Sequence, residues 1–141
     1  MLNAKVLELA EAEKAVEAVM KEATKGGDPI VVAVADSWGT PIIVKKMDGA
    51  LPLMVRMALN KAYTAATYRG DTSLWGKRFK EHGRETTWYD DSRLTVIPGG
   101  VCIKLADETI VGAVGVSGRF APEDEALAAI GAKAIEAIIQ T

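Results

Sequence analysis

The sequence predicts an α+β protein, an α/β/α sandwich built on a five-stranded antiparallel sheet. Three observations predict it. Apolar residues recur at helical spacing near both ends and across the middle of the chain. Between these stretches lie short runs rich in β-branched residues, joined by turns too short for parallel crossovers. The resulting order is helix, two strands, one or two helices, three strands and a helix, which places helices on two faces of one sheet.

Residues Asn3 to Lys25 read as the first helix, with Asn3 as N-cap and Leu2, Val6, Leu9, Ala10, Val16 and Met20 near one face. Gly26-Gly27-Asp28-Pro29 ends it. Ile30 to Ala35 is a buried strand, Asp36-Ser37-Trp38-Gly39 a turn, and Pro41 to Lys46 the return strand of a hairpin. After a Met47-Asp48-Gly49-Ala50 loop, Leu53 to Tyr68 reads as a helix with Pro52 near its first turn. Leu53, Met57, Ala58 and Ala65 form its apolar stripe, and its alanines suit close packing. A shorter helix spans Ser73 to His82, and Gly83 to Arg93 is a polar segment carrying Trp88 and Tyr89 among charges. Leu94 to Ile97, Val101 to Leu105 and Thr109 to Ser117 read as three further strands. Pro122 to Gln140 closes the chain as a helix with Leu127, Ile130, Ala134, Ile135 and Ile138 inward.

The 141 residues form one expected domain, and 49% hydrophobic content supplies a core. Seventeen basic against nineteen acidic residues give a net charge of −2, without the concentrated basic face that nucleic-acid binding needs. No apolar run approaches the ~20 residues of a membrane span. A single cysteine, Cys102, and a charged stretch from Met1 to Lys25 with no signal-peptide core point to a cytoplasmic protein.

The richest segment chemically is the last third. Pro98-Gly99-Gly100 and Gly112-Ala113-Val114-Gly115-Val116-Ser117-Gly118 carry more glycine than strand propensity explains. Glycine inside a strand marks a bulge or a close approach by other backbone or a ligand. One histidine and one cysteine cannot build a closed zinc site. His82, beside Gly83, either complements a helix C-terminus or ligates haem iron, or moves protons. A Ser117–His82–Asp36 triad is rejected because Gly115-Val116-Ser117-Gly118 lacks the nucleophile-elbow spacing. Cys102 reads as a buried thiol, with Lys104 on the same strand face as a weak candidate for an activating charge. Lys61 and Tyr63, with Arg56, face either a pocket over the sheet or, by snorkelling, solvent. Glu81, Glu85, Asp90 and Asp91 read as a solvated acidic face.

These residues in this order are similar to the GlcG/HbpS-like family. The carriers are Asp36-Ser37-Trp38-Gly39, Met47-Asp48-Gly49-Ala50, Lys61-Ala62-Tyr63-Thr64-Ala65-Ala66, Pro98-Gly99-Gly100, Gly112 to Gly118, and Asp124-Glu125. The resemblance implies a profilin-like sandwich, a homo-oligomer of four or eight chains, a place in catabolism and, for some members, haem as cofactor. It maps a pocket wall onto Lys61, Tyr63, Thr64, Gly99, Gly100, Ser117 and Gly118. Members carry Pro-Ile where Cys102-Ile103 stands here, and the first helix holds no histidine, which leaves His82 as the candidate axial ligand. The function expected is binding of a small ligand, haem being the candidate. The alternatives are an isomerase or lyase on an oxygenated carboxylic acid, or a non-catalytic accessory protein. In the enzyme reading Arg56, Arg84 or Arg93 clamps a carboxylate, and Lys61, Tyr63 or His82 is the catalytic acid–base group.

Overall fold

A computed structural model describes residues 1–139. The elements are α1 (Leu9–Ala23), β1 (Val31–Asp36), β2 (Pro41–Lys46), α2 (Pro52–Tyr68), α3 (Thr72–His82), a 3₁₀ turn (Thr86–Tyr89), β3 (Gly100–Lys104), β4 (Ile110–Ser117) and α4 (Ala121–Ile139). The expected end of the last helix at Gln140 lies outside the described residues. Every strand pairing is antiparallel, in the order β2-β1-β4-β3. Helices α1 and α4 cover one face around Val32, Val34, Val114 and Val116. Helix α2 covers the other around Val31, Ala33, Ala113 and Cys102.

Among the described residues the sheet has four strands rather than five. Leu94 to Ile97 has strand-like composition, but its N–H groups are taken locally or by α2: Leu94 N–H donates to Asp91 O at 3.2 Å, Thr95 N–H to Thr64 Oγ1 at 3.0 Å and Ile97 N–H to Thr95 Oγ1 at 3.3 Å. The segment crosses α2 and α3, where its Val96 carbonyl lies against Gly76. The sheet edge it would have joined is already closed. There Thr72 Oγ1, Asp71 Oδ1 and Glu136 Oε1 accept the outward N–H groups of Gly100, Cys102 and Lys104 at 3.0, 2.9 and 3.0 Å.

Helix α1 begins at Leu9, not near Asn3. Glu8 caps it, its N–H donating to Glu11 Oε1 at 2.9 Å, the backward half of a capping box. Leu2 and Val6 are exposed, and the buried face is Ala12, Ala15, Val16, Val19 and Ala23. Small residues are what this interface requires: a Cβ on Gly131 of α4 would stand 2.8 Å from Val19 Cγ2. On α4, Leu127 and Ile135 are buried as expected, while Ile130 and Ile138 remain partly exposed. On the opposite face, a Cβ on Gly115 would stand 2.6 Å from Ala62 N, so β4 presents glycine to let α2 lie directly on its backbone.

Candidate functional site

The close approach of α2 to β4 carries Lys61 into the interior. Its side chain is 2% exposed, and its ammonium donates to Val116 O at 2.9 Å and to Asp124 Oδ2 at 3.2 Å. Asp124, in the first turn of α4 and equally buried, accepts the Arg119 N–H on Oδ1 at 2.9 Å. Burial works against charge on both members, lowering Lys61 and raising Asp124 from their ordinary values, while each partner's charge opposes that shift. A Cβ on Gly99 would fall 2.8 Å from Lys61 Nζ, so glycine there leaves room for the ammonium. The Gly100 N–H is taken by Thr72.

Around this pair the structure gathers the residues mapped as a pocket wall, closed upon themselves. Ser117 is buried with its hydroxyl on Met54 Sδ at 3.2 Å. Thr64 is buried with its hydroxyl donating to Arg93 O at 3.4 Å and accepting from Thr95. Gly118, at φ 139°, borders a cleft of about 250 Å³ shared with Asp28, Pro29, Gly49 and Met54. Arg119 pins the loop opposite: its guanidinium donates to the carbonyls of Ala23, Gly26 and Asp28, satisfying the C-terminus of α1.

Tyr63, two residues on from Lys61, points elsewhere. Its hydroxyl donates to Asp91 Oδ2 at 2.5 Å, and Arg93 lies 4.0 Å over its ring while its Nε and Nη2 bond the Asp91 carboxylate. Arg93 first and Tyr63 second hold the Asp91 carboxyl down at about 2. The same hydrogen bond raises Tyr63. This clasp fastens the 91–95 segment to α2. Asp36 serves the β1–β2 turn, its Oδ1 accepting the N–H groups of Trp38 and Thr40.

His82 is the exposed last residue of α3, followed by Gly83 in the left-handed conformation that ends the helix. Trp75, Phe79 and His82 recur at spacings of four and three, and Arg78 lies four before His82, so all four belong to one side of α3. Behind them is an aromatic stack. Tyr68 stacks on Trp75 at 4.0 Å between centroids, Phe79 on Tyr89 at 5.7 Å, and Arg78 lies 5.1 Å over Trp75. Arg84 donates to the Tyr89 hydroxyl at 3.0 Å, which meets the Tyr68 hydroxyl at 3.0 Å. Trp88 adds an indole that is 64% exposed.

As a set of iron donors these side chains divide clearly. Burial pushes the Cys102 thiol up to about 12, so it is not a thiolate ligand at neutral pH. The Tyr63 hydroxyl is held by Asp91. No group of three or more His, Cys, Asp and Glu among the described residues could hold a free metal ion. That leaves the exposed imidazole of His82 at the end of α3, a residue type that can ligate haem iron. Sequence reasoning did not anticipate Asp124 as the partner of Lys61, nor Trp75 as a member of the aromatic stack with Tyr68.

An antiparallel four-stranded sheet with helices on both faces makes this an α+β sandwich. The chain belongs to the HbpS-like family, haem degrading protein HbpS-like, whose pattern matches residues 7–133. It is similar to an uncharacterised 15.0 kDa protein of the dhaT-dhaS intergenic region of Citrobacter freundii, 32% identical over 85% of each chain. It is also similar to GlcG of Escherichia coli K12, 34% identical over 72% of this chain and 74% of that one. Among solved structures, a double mutant of HbpS from Streptomyces reticuli superposes with a TM-score of 0.84 at 30% identity, covering 94% of this chain and 89% of that one. The PduOC–haem complex shares the fold, with a TM-score of 0.82 at 22% identity over 92% and 95% of the two chains. No helix among the described residues is long and apolar enough to cross a membrane.

Proposed function

We propose that this protein binds a small ligand, that the ligand is haem, and that His82 is its axial ligand. The observation that carries this reading is the position of the one imidazole in the chain, exposed at the end of α3 on the side that bears Trp75 and Arg78. The membership in a family described as haem degrading, and a relative by fold seen in complex with haem, support the choice of ligand. When bound, haem supplies an iron centre to which small molecules and electrons have access. The chain's own part is to bind and orient it. His82 would hold the iron through a ring nitrogen, the exposed indole of Trp88 would give apolar surface, and Arg78 and Arg84 would supply charge-assisted donors for the carboxylates.

The acid–base candidates favour binding over proton-transfer catalysis, since Lys61 is held by Asp124 and Tyr63 by Asp91. A haem titration followed in the Soret region tests the reading, run on the wild-type chain and on His82→Ala. Saturable binding with a red-shifted Soret band in the wild type, lost in a folded His82→Ala, is the expected result. A wild type that gives only a linear, non-saturating response would overturn it.

A further inference from the structure

Two of the chain's three tyrosines meet. The Tyr68 and Tyr89 hydroxyls are 3.0 Å apart, with ring centroids 5.7 Å apart and an interplanar angle of 58°. Packing holds the pair in place. Tyr68 stacks on Trp75 and meets the edge of Phe79, and Phe79 stacks on Tyr89. Phe79 is buried, whereas Tyr89 is 39% exposed on a 3₁₀ turn that has no buried residue. The pair is thus open to solvent on that side, and the turn can shift by the small distance a bond needs. The contact also makes the two phenols unequal. The shared hydrogen bond raises Tyr68 and lowers Tyr89, and Arg84 Nη1, 3.0 Å from the Tyr89 oxygen, adds to the second shift. Tyr89 therefore parts with its proton more readily, and a phenol that has lost its proton also gives up an electron more readily.

We propose that Tyr68 and Tyr89 form an oxidative cross-linking site, joined into dityrosine when the chain meets hydrogen peroxide and a peroxidase-type one-electron oxidant. Each phenol gives up one electron and its hydroxyl proton. The two phenoxyl radicals then form one carbon–carbon bond between the ring carbons next to those that bear oxygen. The hydrogens displaced from these carbons move to the oxygens, which restores two phenols. Hydrogen peroxide takes up the two electrons and two protons and leaves as two water molecules. Hydroxyls in contact bring the reacting carbons together, because each is one bond removed from the carbon that carries oxygen. Tyr63 does not compete: its hydroxyl is bound to Asp91, and Arg93 covers its ring. The product is a staple. It joins positions 21 residues apart, encloses all of α3 and ties the exposed turn to the end of α2.

Treatment of the full chain with hydrogen peroxide and a separately added peroxidase tests this, and the outcome does not depend on whether the chain itself holds haem. The expected product is a single chain lighter by two hydrogens, with the blue fluorescence of dityrosine. Its tryptic digest should join the peptide 62–69 to the peptide 85–93 through Tyr68 and Tyr89. Tyr68→Phe and Tyr89→Phe each keep a ring in the stack and should each lose the product entirely. Closing a loop of this length should raise the melting temperature of the cross-linked chain by about 10 °C over the untreated one. No dityrosine, dityrosine only between chains, a single-chain bond that maps to Tyr63, a product that survives either substitution, or a cross-linked chain that melts no higher would overturn the proposal. If one variant fails to fold, the other and the peptide map decide.

Discussion

Replacing Lys61 by methionine keeps most of the side chain's volume and removes its charge. The variant leaves the Asp124 carboxylate 2% exposed with the Arg119 N–H but no cation. Breaking one side of a buried ion pair costs about 3–5 kcal/mol, because the surviving charge is stranded in a poorly solvated place. For a chain of 141 residues the unfolding entropy is near 0.3 kcal/mol/K, so the melting temperature should fall by about 10–17 °C. The loss should depend on pH in a definite sense. Burial already raises Asp124 above its ordinary value, and without Lys61 only the backbone hydrogen bonds from Arg119 and Gly118 oppose that rise. A folded pKa above the unfolded one means the native state binds the extra proton, so the variant loses stability as pH climbs from about 4 toward the folded pKa. Below that window Asp124 is neutral in both states and the penalty is relieved. Lys61→Met/Asp124→Asn has no stranded charge and should recover most of the loss at neutral pH. Thermal and urea unfolding of the four members of this cycle at pH 4 and pH 7.5 would measure it. A Lys61→Met destabilised by less than about 1 kcal/mol, or a double variant no more stable than the single, would refute the account of the pair.

The Tyr63–Asp91–Arg93 clasp makes the opposite pH prediction. Asp91 titrates at about 2 when folded against an ordinary 3.8, so its contribution is present above pH 4 and is lost as pH falls toward 2. After allowance for screening, that contribution is about 1 kcal/mol, and Asp91→Asn should flatten the acid limb of a stability-versus-pH curve by that amount. Gly115→Val should abolish soluble folded protein or cost at least about 3 kcal/mol, since its Cβ would enter the backbone of α2 at Ala62. Circular dichroism and urea denaturation would report it. Cys102, with its thiol raised to about 12 and donating to Ala65 O, should resist a disulfide reagent at pH 7.5 and react at once in denaturant.

Much of the architecture was legible where local chemistry decides it. Pro41 to Lys46 has the bounds expected of it, α3 differs from expectation by one residue at its start, and Pro52 opens α2 as a first-turn proline should. The errors fall where tertiary contacts outweigh propensity. Leu94 to Ile97 has the composition of a strand, yet Thr64 takes the Thr95 N–H and Asp71, Thr72 and Glu136 bar the sheet edge. Leu2 and Val6 share helical spacing with Leu9, but the helix begins only where Glu8 and Glu11 can cap it. At the site, the glycines announced a close approach without naming the visitor. The visitor is Lys61, and its carboxylate partner is 63 residues away in the chain, beyond any periodicity or spacing argument. Cys102 was legible as an inert buried thiol because an apolar strand environment alone accounts for it.

The central claim, that haem is held through His82, is tested most directly by nuclear magnetic resonance on protein labelled with nitrogen-15 in histidine. The chain has one histidine, so its imidazole gives one assignable pair of ring-nitrogen signals. On addition of ferric haem to one equivalent, those signals should leave their diamagnetic positions or broaden beyond detection. The same addition of a metal-free porphyrin should leave them sharp, with shifts no larger than contact produces. Haem that binds saturably while both imidazole signals stay sharp and unshifted would contradict ligation by His82.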